Sequence, residues 1–445
     1  MLSAFAPAWL LACAITAAPI EHGTQLIYQG TFDADKGDPF VTRKNFELTV
    51  LFTEPAEGDA TAYWMLRESG RGGWQWPDRF GRVPVDGNGR FRGDGGPALL
   101  YQRPEGNSVV PFALPIAPLD QMWKVGTKWE EGRLTYEVQE QGAINGSSAW
   151  RVEAHNPYGR VQTFWVDEQS PVVVASTRRV FIGRGEPHEL QYELKDRTVL
   201  SAEELAQATA TLDQLISLRD ALAFQPRTLQ VDWDKQQLER LREELPKIPA
   251  ASKPVLLAQV LKDAGEDAKA QKNRTSAVDA MKKNAVGQEI GPLKLTDFTG
   301  KPLDAELTKD KVVILHFWSY QDAPLEEPYG QIGYLDFLNR RIDDAPITIL
   351  GVVVNDRLAE GQRASAVQSA KRLRSFMNLG YTIVLDDGAL KQLGDPRVAD
   401  AKLPLFVVIG RDGKVLEYHV GNYEVDRDRG LKQLEDVAKS AANEK

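Results

Sequence analysis

Beyond residue 13 this chain has no cysteine; the single one is Cys13. Disulfides, zinc–thiolate sites, iron–sulfur clusters and cysteine nucleophiles are therefore excluded from everything downstream. Basic charge is also short: Lys and Arg number 54 against 63 Asp and Glu, a formal charge of −9. Phosphate backbones require a clustered basic face, so no nucleic-acid partner is expected. The histidines His22, His155, His188, His316 and His419 are scattered without metal-ligand spacing, and no metal or other cofactor is expected. A phosphate-cradling glycine loop and a Gly-x-Ser-x-Gly elbow are both missing. After the N-terminal stretch no run approaches the length of apolar residues that spans a bilayer.

That N-terminal stretch, residues 1–20, is the first feature present. Leu2 to Ile20 carry no charge, and the first charged residue is Glu21. It reads as a secretory signal segment, although it lacks a basic start. Three fates fit it. Ala12 and Ala14 suit cleavage after Ala14; Leu10-Leu11-Ala12-Cys13 resembles a lipoprotein cleavage box that would make Cys13 the lipidated N-terminus; or the segment remains as an anchor. The protein is expected to be exported, periplasmic or envelope-associated, with membrane contact only through this segment.

At 445 residues the chain is long enough for two to four domains, and 42% hydrophobic with 26% charged residues suits a globular protein. Residues 21–200 carry a β pattern. Phe46, Leu48, Val50 and Phe52 alternate with Glu47, Thr49 and Leu51, a period of two with one exception at Leu51. Strand-like runs follow at Thr61–Leu66, Ala98–Gln102, Leu134–Gln139, Ala149–Ala154, Val161–Val166, Val172–Ile182 and Glu189–Leu194, separated by turn residues such as Asn145-Gly146 and Gly183-Arg184-Gly185. A large antiparallel sheet is expected, its last four runs forming a meander. Seven of the ten tryptophans lie between Trp64 and Trp165, two of them in Gly72-Gly73-Trp74-Gln75-Trp76. They read either as a platform for a glycan or lipid or as core packing, and packing is the favoured reading. The meander, with Thr163-Phe164-Trp165-Val166-Asp167, is similar to the curved half-barrel of bacterial lipoprotein carriers, which implies carriage of an apolar ligand if an open cavity replaces a packed core.

At Ser201 the period changes. Ser201-Ala202-Glu203-Glu204 is a capping box, and Leu205, Leu212, Leu215, Ile216 and Leu222 follow at helical spacing. A second helix is expected from Asp234 to Leu245, stopped by Pro246, and a third from about Pro254 to Lys283 with a break at Gly265. Residues 201–285 thus read as a helical spacer.

Residues 286–445 alternate β and α. Strands are expected at Lys311–Trp318, Ile347–Val354, Thr382–Leu385, Leu405–Ile409 and Val415–Val420, the last two joined by the turn Gly410-Arg411-Asp412-Gly413. Helices are expected near 324–341, 364–379 and 431–442. The opening Val286-Gly287-Gln288-Glu289-Ile290-Gly291-Pro292-Leu293, the strand Lys311-Val312-Val313-Ile314-Leu315-His316-Phe317-Trp318 and the stretch Lys402-Leu403-Pro404-Leu405-Phe406 resemble, in order, the exported thioredoxin-like family of thiol–disulfide reductases and their peroxiredoxin relatives. The resemblance implies a thioredoxin fold and a cis bond before Pro404. The fold class expected for the whole chain is multidomain α+β: an antiparallel β-rich domain (curved sheet or half-barrel), a helical spacer and a C-terminal α/β thioredoxin-like domain.

The family's chemistry does not carry over. Where it has Cys-x-x-Cys this chain has Asp322-Ala323-Pro324-Leu325, with Asp322 at the attacking and Leu325 at the resolving position. A carboxylate can neither attack a disulfide nor form a sulfenic acid. Asp322 is expected to cap the following helix, and no catalytic residue is assigned. Trp318, Tyr320 and Pro404 are candidates for lining a groove in which an extended peptide of a protein partner adds as a strand beside the cis-proline; for Trp318, packing is the favoured alternative. His316, inside an apolar strand, reads as a core histidine. The role expected is redox-inactive binding or scaffolding at the cell envelope, with a thiol-independent activity as the competing class.

Overall fold

A computed structural model describes residues 20–34, 43–53, 60–70, 72–86, 90–93, 95–103, 106–118, 121, 123–228, 231–319, 331–342, 345–359, 361–423 and 430–443. The chain divides into two compact units, one running to Lys269 and the other beginning at Ala270.

In the first unit the period-two segments become β1 (Thr24–Ala34), β2 (Lys44–Thr53), β3 (Ala60–Ser69), β4 (Phe80–Val85), β5 (Ala98–Arg103), β6 (Gly106–Pro111), β7 (Lys128–Glu131), β8 (Leu134–Ile144), β9 (Ser147–Asn156), β10 (Gly159–Asp167), β11 (Val173–Ile182) and β12 (Glu186–Val199). Ten of these form one sheet in the order β4-β3-β2-β1-β12-β11-β10-β9-β8-β7, and all its pairings are antiparallel. Two meanders meet where β1 pairs with β12, with Phe32 opposite Leu190. The run at Ala98–Gln102 does not join this sheet; it pairs with β6 as a separate hairpin. That hairpin covers one face of the sheet, where Leu26, Tyr28, Phe46, Leu48, Val50 and Trp64 pack with Trp74, Leu99 and Leu100.

The opposite face explains the exception at Leu51. Leu51, Tyr63 and Met65 point to that side and share a core with Leu205, Leu212, Leu215, Leu241 and Leu257 of the helices. These helices are α1 (Ala202–Ala221), α2 (Lys235–Glu244) and α3 (Val255–Ala285). The capping box forms as expected: the Glu204 N–H donates to Ser201 Oγ at 3.3 Å and the Ser201 N–H donates to the Glu204 carboxylate at 3.0 Å. Two details differ from the sequence reading. Helix α3 runs unbroken through Gly265, whose missing side chain faces open space. The helices up to Ala264 are also the second layer of the first unit, because an apolar sheet face must be covered. Trp74 and Trp76 are 1% and 2% exposed and serve as core, with the Trp74 indole donating to the Ala98 carbonyl at 2.7 Å. Asp267 accepts from the indoles of both Trp76 (3.0 Å) and Trp233 (3.1 Å).

The second unit contains β13 (Leu295–Thr296), β14 (Val312–Ser319), α4 (Ile332–Arg341), β15 (Ile347–Val354), α5 (Asp356–Ala359), α6 (Arg363–Met377), β16 (Thr382–Asp386), α7 (Ala389–Leu393), β17 (Leu405–Ile409), β18 (Val415–Val420) and α8 (Leu431–Asn443). Its sheet order is β13-β16-β15-β14-β17-β18. Strands β14, β15 and β16 are parallel, β17 is antiparallel to β14, and β18 returns beside β17 as a hairpin. This is the sequence of parallel β–α units, hairpin and final helix that the thioredoxin resemblance implied. Fully buried strands read as continuous apolar runs, and β14 shows why. Val312, Ile314 and Trp318 pack under α4, α6 and α8, while Val313, Leu315 and Phe317 pack on the other face against α7 and the end of α3.

Candidate functional site

In an open α/β sheet, ligand sites lie at the carboxyl ends of the parallel strands. Here that edge holds Trp318 and Ser319 at the end of β14, Asn355 after β15, Pro404 before β17 and Gly421 after β18. The Leu403–Pro404 peptide is cis, as the resemblance implied. The Pro404 carbonyl accepts the Gly421 N–H at 2.8 Å, which ties the cis-proline loop to the end of the hairpin. Leu403 is half-buried and packs on the lower core, while Lys402 is exposed.

Trp318 does not line a groove. It is 3% exposed and belongs to the core under α4, α6 and α8. Its indole and the ring of Tyr381 crowd Gly351, where a Cβ would meet Tyr381 at 2.7 Å and Trp318 Nε1 at 3.4 Å. Alternation along β14 decides this: Trp318 is in phase with Val312 and Ile314 and points into the same core. Tyr320, Asp322 and Leu325, with Cys13, lie outside the described residues.

Next to the cis-proline loop the structure assembles groups that motif reading passed over. The Gln331 amide makes two bonds to the backbone of Tyr423: its Nε2 donates to the Tyr423 carbonyl at 2.6 Å and its Oε1 accepts the Tyr423 N–H at 2.8 Å. The Tyr423 ring stacks on His419 with centroids 3.8 Å apart and lies edge-on to Phe406 at 5.0 Å. Phe406 in turn stacks on His316 at 4.5 Å, deep in the core. Burial pushes the His419 imidazole below its ordinary pKa and raises the Tyr423 phenol well above its own, so both are neutral near pH 7. The result is a packed wall of neutral rings beside Pro404. Among the described residues no group of three His, Cys, Asp or Glu side chains could hold a metal ion. His419 was visible in the sequence as a histidine in a strand. Tyr423 and Gln331 carried no local signal, because they are 92 residues apart and meet only through the fold.

No family model matches this chain, and no curated protein matches it. Solved structures do resemble part of it. A thioredoxin-family thiol:disulfide interchange protein from Chlorobium tepidum is 17% identical, with 35% of this chain covering 99% of that one at a TM-score of 0.27. The thioredoxin domain of a thiol-disulfide oxidoreductase from Bacteroides vulgatus is 17% identical over 36% of this chain and 99% of its own, with a TM-score of 0.26. A secreted disulfide oxidoreductase from Mycobacterium tuberculosis is 17% identical over 34% and 96%, with a TM-score of 0.24.

Proposed function

We propose that this is an exported thioredoxin-like protein without dithiol chemistry that acts by binding or scaffolding at the cell envelope. The observation that carries the reading is the cysteine count: one, at position 13, with Asp322 and Leu325 where the resembled family has its reactive pair. Thiol–disulfide exchange proceeds by thiolate attack on a disulfide sulfur, and no residue after Cys13 supplies that atom. On this reading the working edge is the loop at Leu403 and Pro404, where an extended peptide of a protein partner adds main-chain hydrogen bonds. Export, and any membrane contact, rest on the N-terminal segment. A thiol-independent activity on the same fold is the competing reading.

The test has two arms. Insulin reduction with dithiothreitol, in the presence of protein lacking residues 1–20, is expected to match the buffer control. A rate clearly above that control refutes the redox-inactive reading. Partners captured from envelope extract are expected to be lost with Leu403→Glu, whose charge would sit on the half-buried loop. Partners retained equally by that folded variant would move the binding edge elsewhere.

A further inference from the structure

Helices α4 and α6 lie side by side in the second unit. Both pack into the core they share with α8, and the Gly380 N–H just after α6 donates to the Asp336 carboxylate of α4 at 2.6 Å. Their outer surface departs from the acidic character of the chain, whose formal charge is −9. Helix α6 contains Arg363, Lys371, Arg372 and Arg374 and no acidic residue. Helix α4 ends in Arg340 and Arg341, and its one acid is Asp336. Asp343 and Asp344 follow α4 outside the described residues, and basic charge stays in excess with both counted.

Burial sorts these charges. Asp336 is buried and bonded by the exposed Arg340; Glu435 of α8 is buried and bonded by the exposed Arg341 and by Lys439. These carboxylates lie beneath their cations, so the outermost charge of the layer is positive. Lys371 and Arg374 are exposed and form no ion pair among the described residues. A helix that only meets water tends to mix acids and bases in i,i+4 pairs, and α6 has none. Two phenylalanines stand in water beside these cations. Phe376 of α6 is 85% exposed and Phe337 of α4 is 54% exposed, with the Arg341 guanidinium 5.4 Å from the Phe337 ring. A basic helical face carrying exposed aromatic rings matches the headgroup layer of an anionic bilayer, where phosphates meet the cations and rings enter the acyl boundary. An outward helical face also suits a flat surface better than a peptide helix, which docks in a groove.

We propose that the outer face of α4 and α6 docks on an anionic lipid surface, with Lys371, Arg374 and Arg340 at the headgroup phosphates and Phe376 and Phe337 entering between them. The reading above derives membrane contact from residues 1–20 alone; this adds a second contact, carried by the folded second unit. Two weak membrane signals together hold a protein where one would release it.

Cys13 is the one cysteine, so Cys13→Ser allows a single new thiol to be labelled. The full chain with Cys13→Ser and Ser375→Cys, an exposed position between Arg374 and Phe376, is labelled with nitrobenzoxadiazole. Vesicles of phosphatidylglycerol and phosphatidylcholine are expected to brighten the dye and shift its emission to the blue; phosphatidylcholine alone is expected to do neither. The same dye at Tyr158→Cys, an exposed site of the first unit, is expected not to respond, which separates docking by this face from tethering through residues 1–20. Sodium chloride at about 1 M, where the screening length is about 3 Å, should remove most of the response. Lys371→Gln with Arg374→Gln should lower the docking equilibrium constant about 25-fold, and Phe376→Ser about tenfold. Thermal midpoints should not move, because all three side chains are exposed. If Ser375→Cys fails to fold, the exposed Gln368→Cys carries the dye instead. A dye on α6 that ignores anionic vesicles overturns the proposal, as does an equal response to neutral vesicles or at residue 158. Polyglutamate giving the same response, insensitive to Phe376→Ser, would also overturn it and assign the face to an acidic protein.

Discussion

The ammonium of Lys44 lies 2.9 Å from the carboxylate of Glu68, with the two side chains only 1% and 2% exposed. Every donor of the ammonium is used, because it also reaches the carbonyls of Gly72 at 3.0 Å and Leu100 at 2.5 Å. Glu68 accepts the backbone N–H groups of Trp74 at 2.8 Å and Leu100 at 2.9 Å. The pair thus ties β2 and β3 to the glycine-rich segment and to β5, and it satisfies four backbone groups in the core.

Breaking that pair should be expensive. Lys44→Met leaves a buried carboxylate uncompensated and should cost about 3–5 kcal/mol. A buried pair can often be replaced by apolar residues without loss. Here Lys44→Met with Glu68→Leu is expected not to recover, because the four backbone groups would be orphaned at about 1–3 kcal/mol each. Urea unfolding followed by tryptophan fluorescence checks both variants. A double variant as stable as wild type would show that the pair is dispensable.

Gly351 occupies a site with no room for a side chain, since a Cβ would stand 2.7 Å from the Tyr381 ring. Gly351→Ala should destabilise the second unit by about 1–3 kcal/mol through overpacking. Adding Tyr381→Leu removes the obstructing ring and should return part of that loss. Thermal unfolding of the single and double variants measures the coupling, and strict additivity would contradict the contact.

His419 gives the stability a pH dependence of definite sign. Burial lowers its folded pKa below the ordinary 6.5, against weaker raising effects from a backbone hydrogen bond of Asn422 and from Glu417, while Lys282 lowers it further. Lys282 and Glu417 are themselves paired at 2.6 Å. Below pH 6.5 the unfolded chain binds a proton that the folded chain resists, so stability is present above that pH and is lost as pH falls through it. The difference between stability at pH 7.5 and at pH 5.5 should shrink in His419→Gln. An identical pH slope in the variant would mean that the imidazole is not held neutral.

Much of this architecture was legible in the sequence because it is local or periodic. The change of period at Ser201, the reciprocal Ser201–Glu204 cap and the apolar run of β14 each depend on a few neighbouring residues. Short strands were harder. β4 and β7 are 6 and 4 residues long, and β6 carries Gly106, Asn107 and Pro111, so neither alternation nor propensity marks them. At the candidate site the sequence indicated the cis-proline loop and the missing thiols. It could not bring Gln331 to Tyr423, or place Trp318 inside the core instead of on a groove.

The sequence by itself determined that no thiol follows Cys13, since a count of cysteines needs no coordinates. It also determined the order of the longer strands and of the helices that periodicity and caps mark, though not of β4, β6 and β7. Only the tertiary structure decided what covers what. The helices after Ser201 became the second layer of the sheet because Leu51, Tyr63 and Met65 needed an apolar partner. Trp74 and Trp76 became core. An open space among aromatic side chains fell beside Trp129 and Tyr136, next to the segment 113–118, which backbone bonds hold to Pro171 and Val173. Such choices depend on which distant surfaces meet, and no local pattern carries that information.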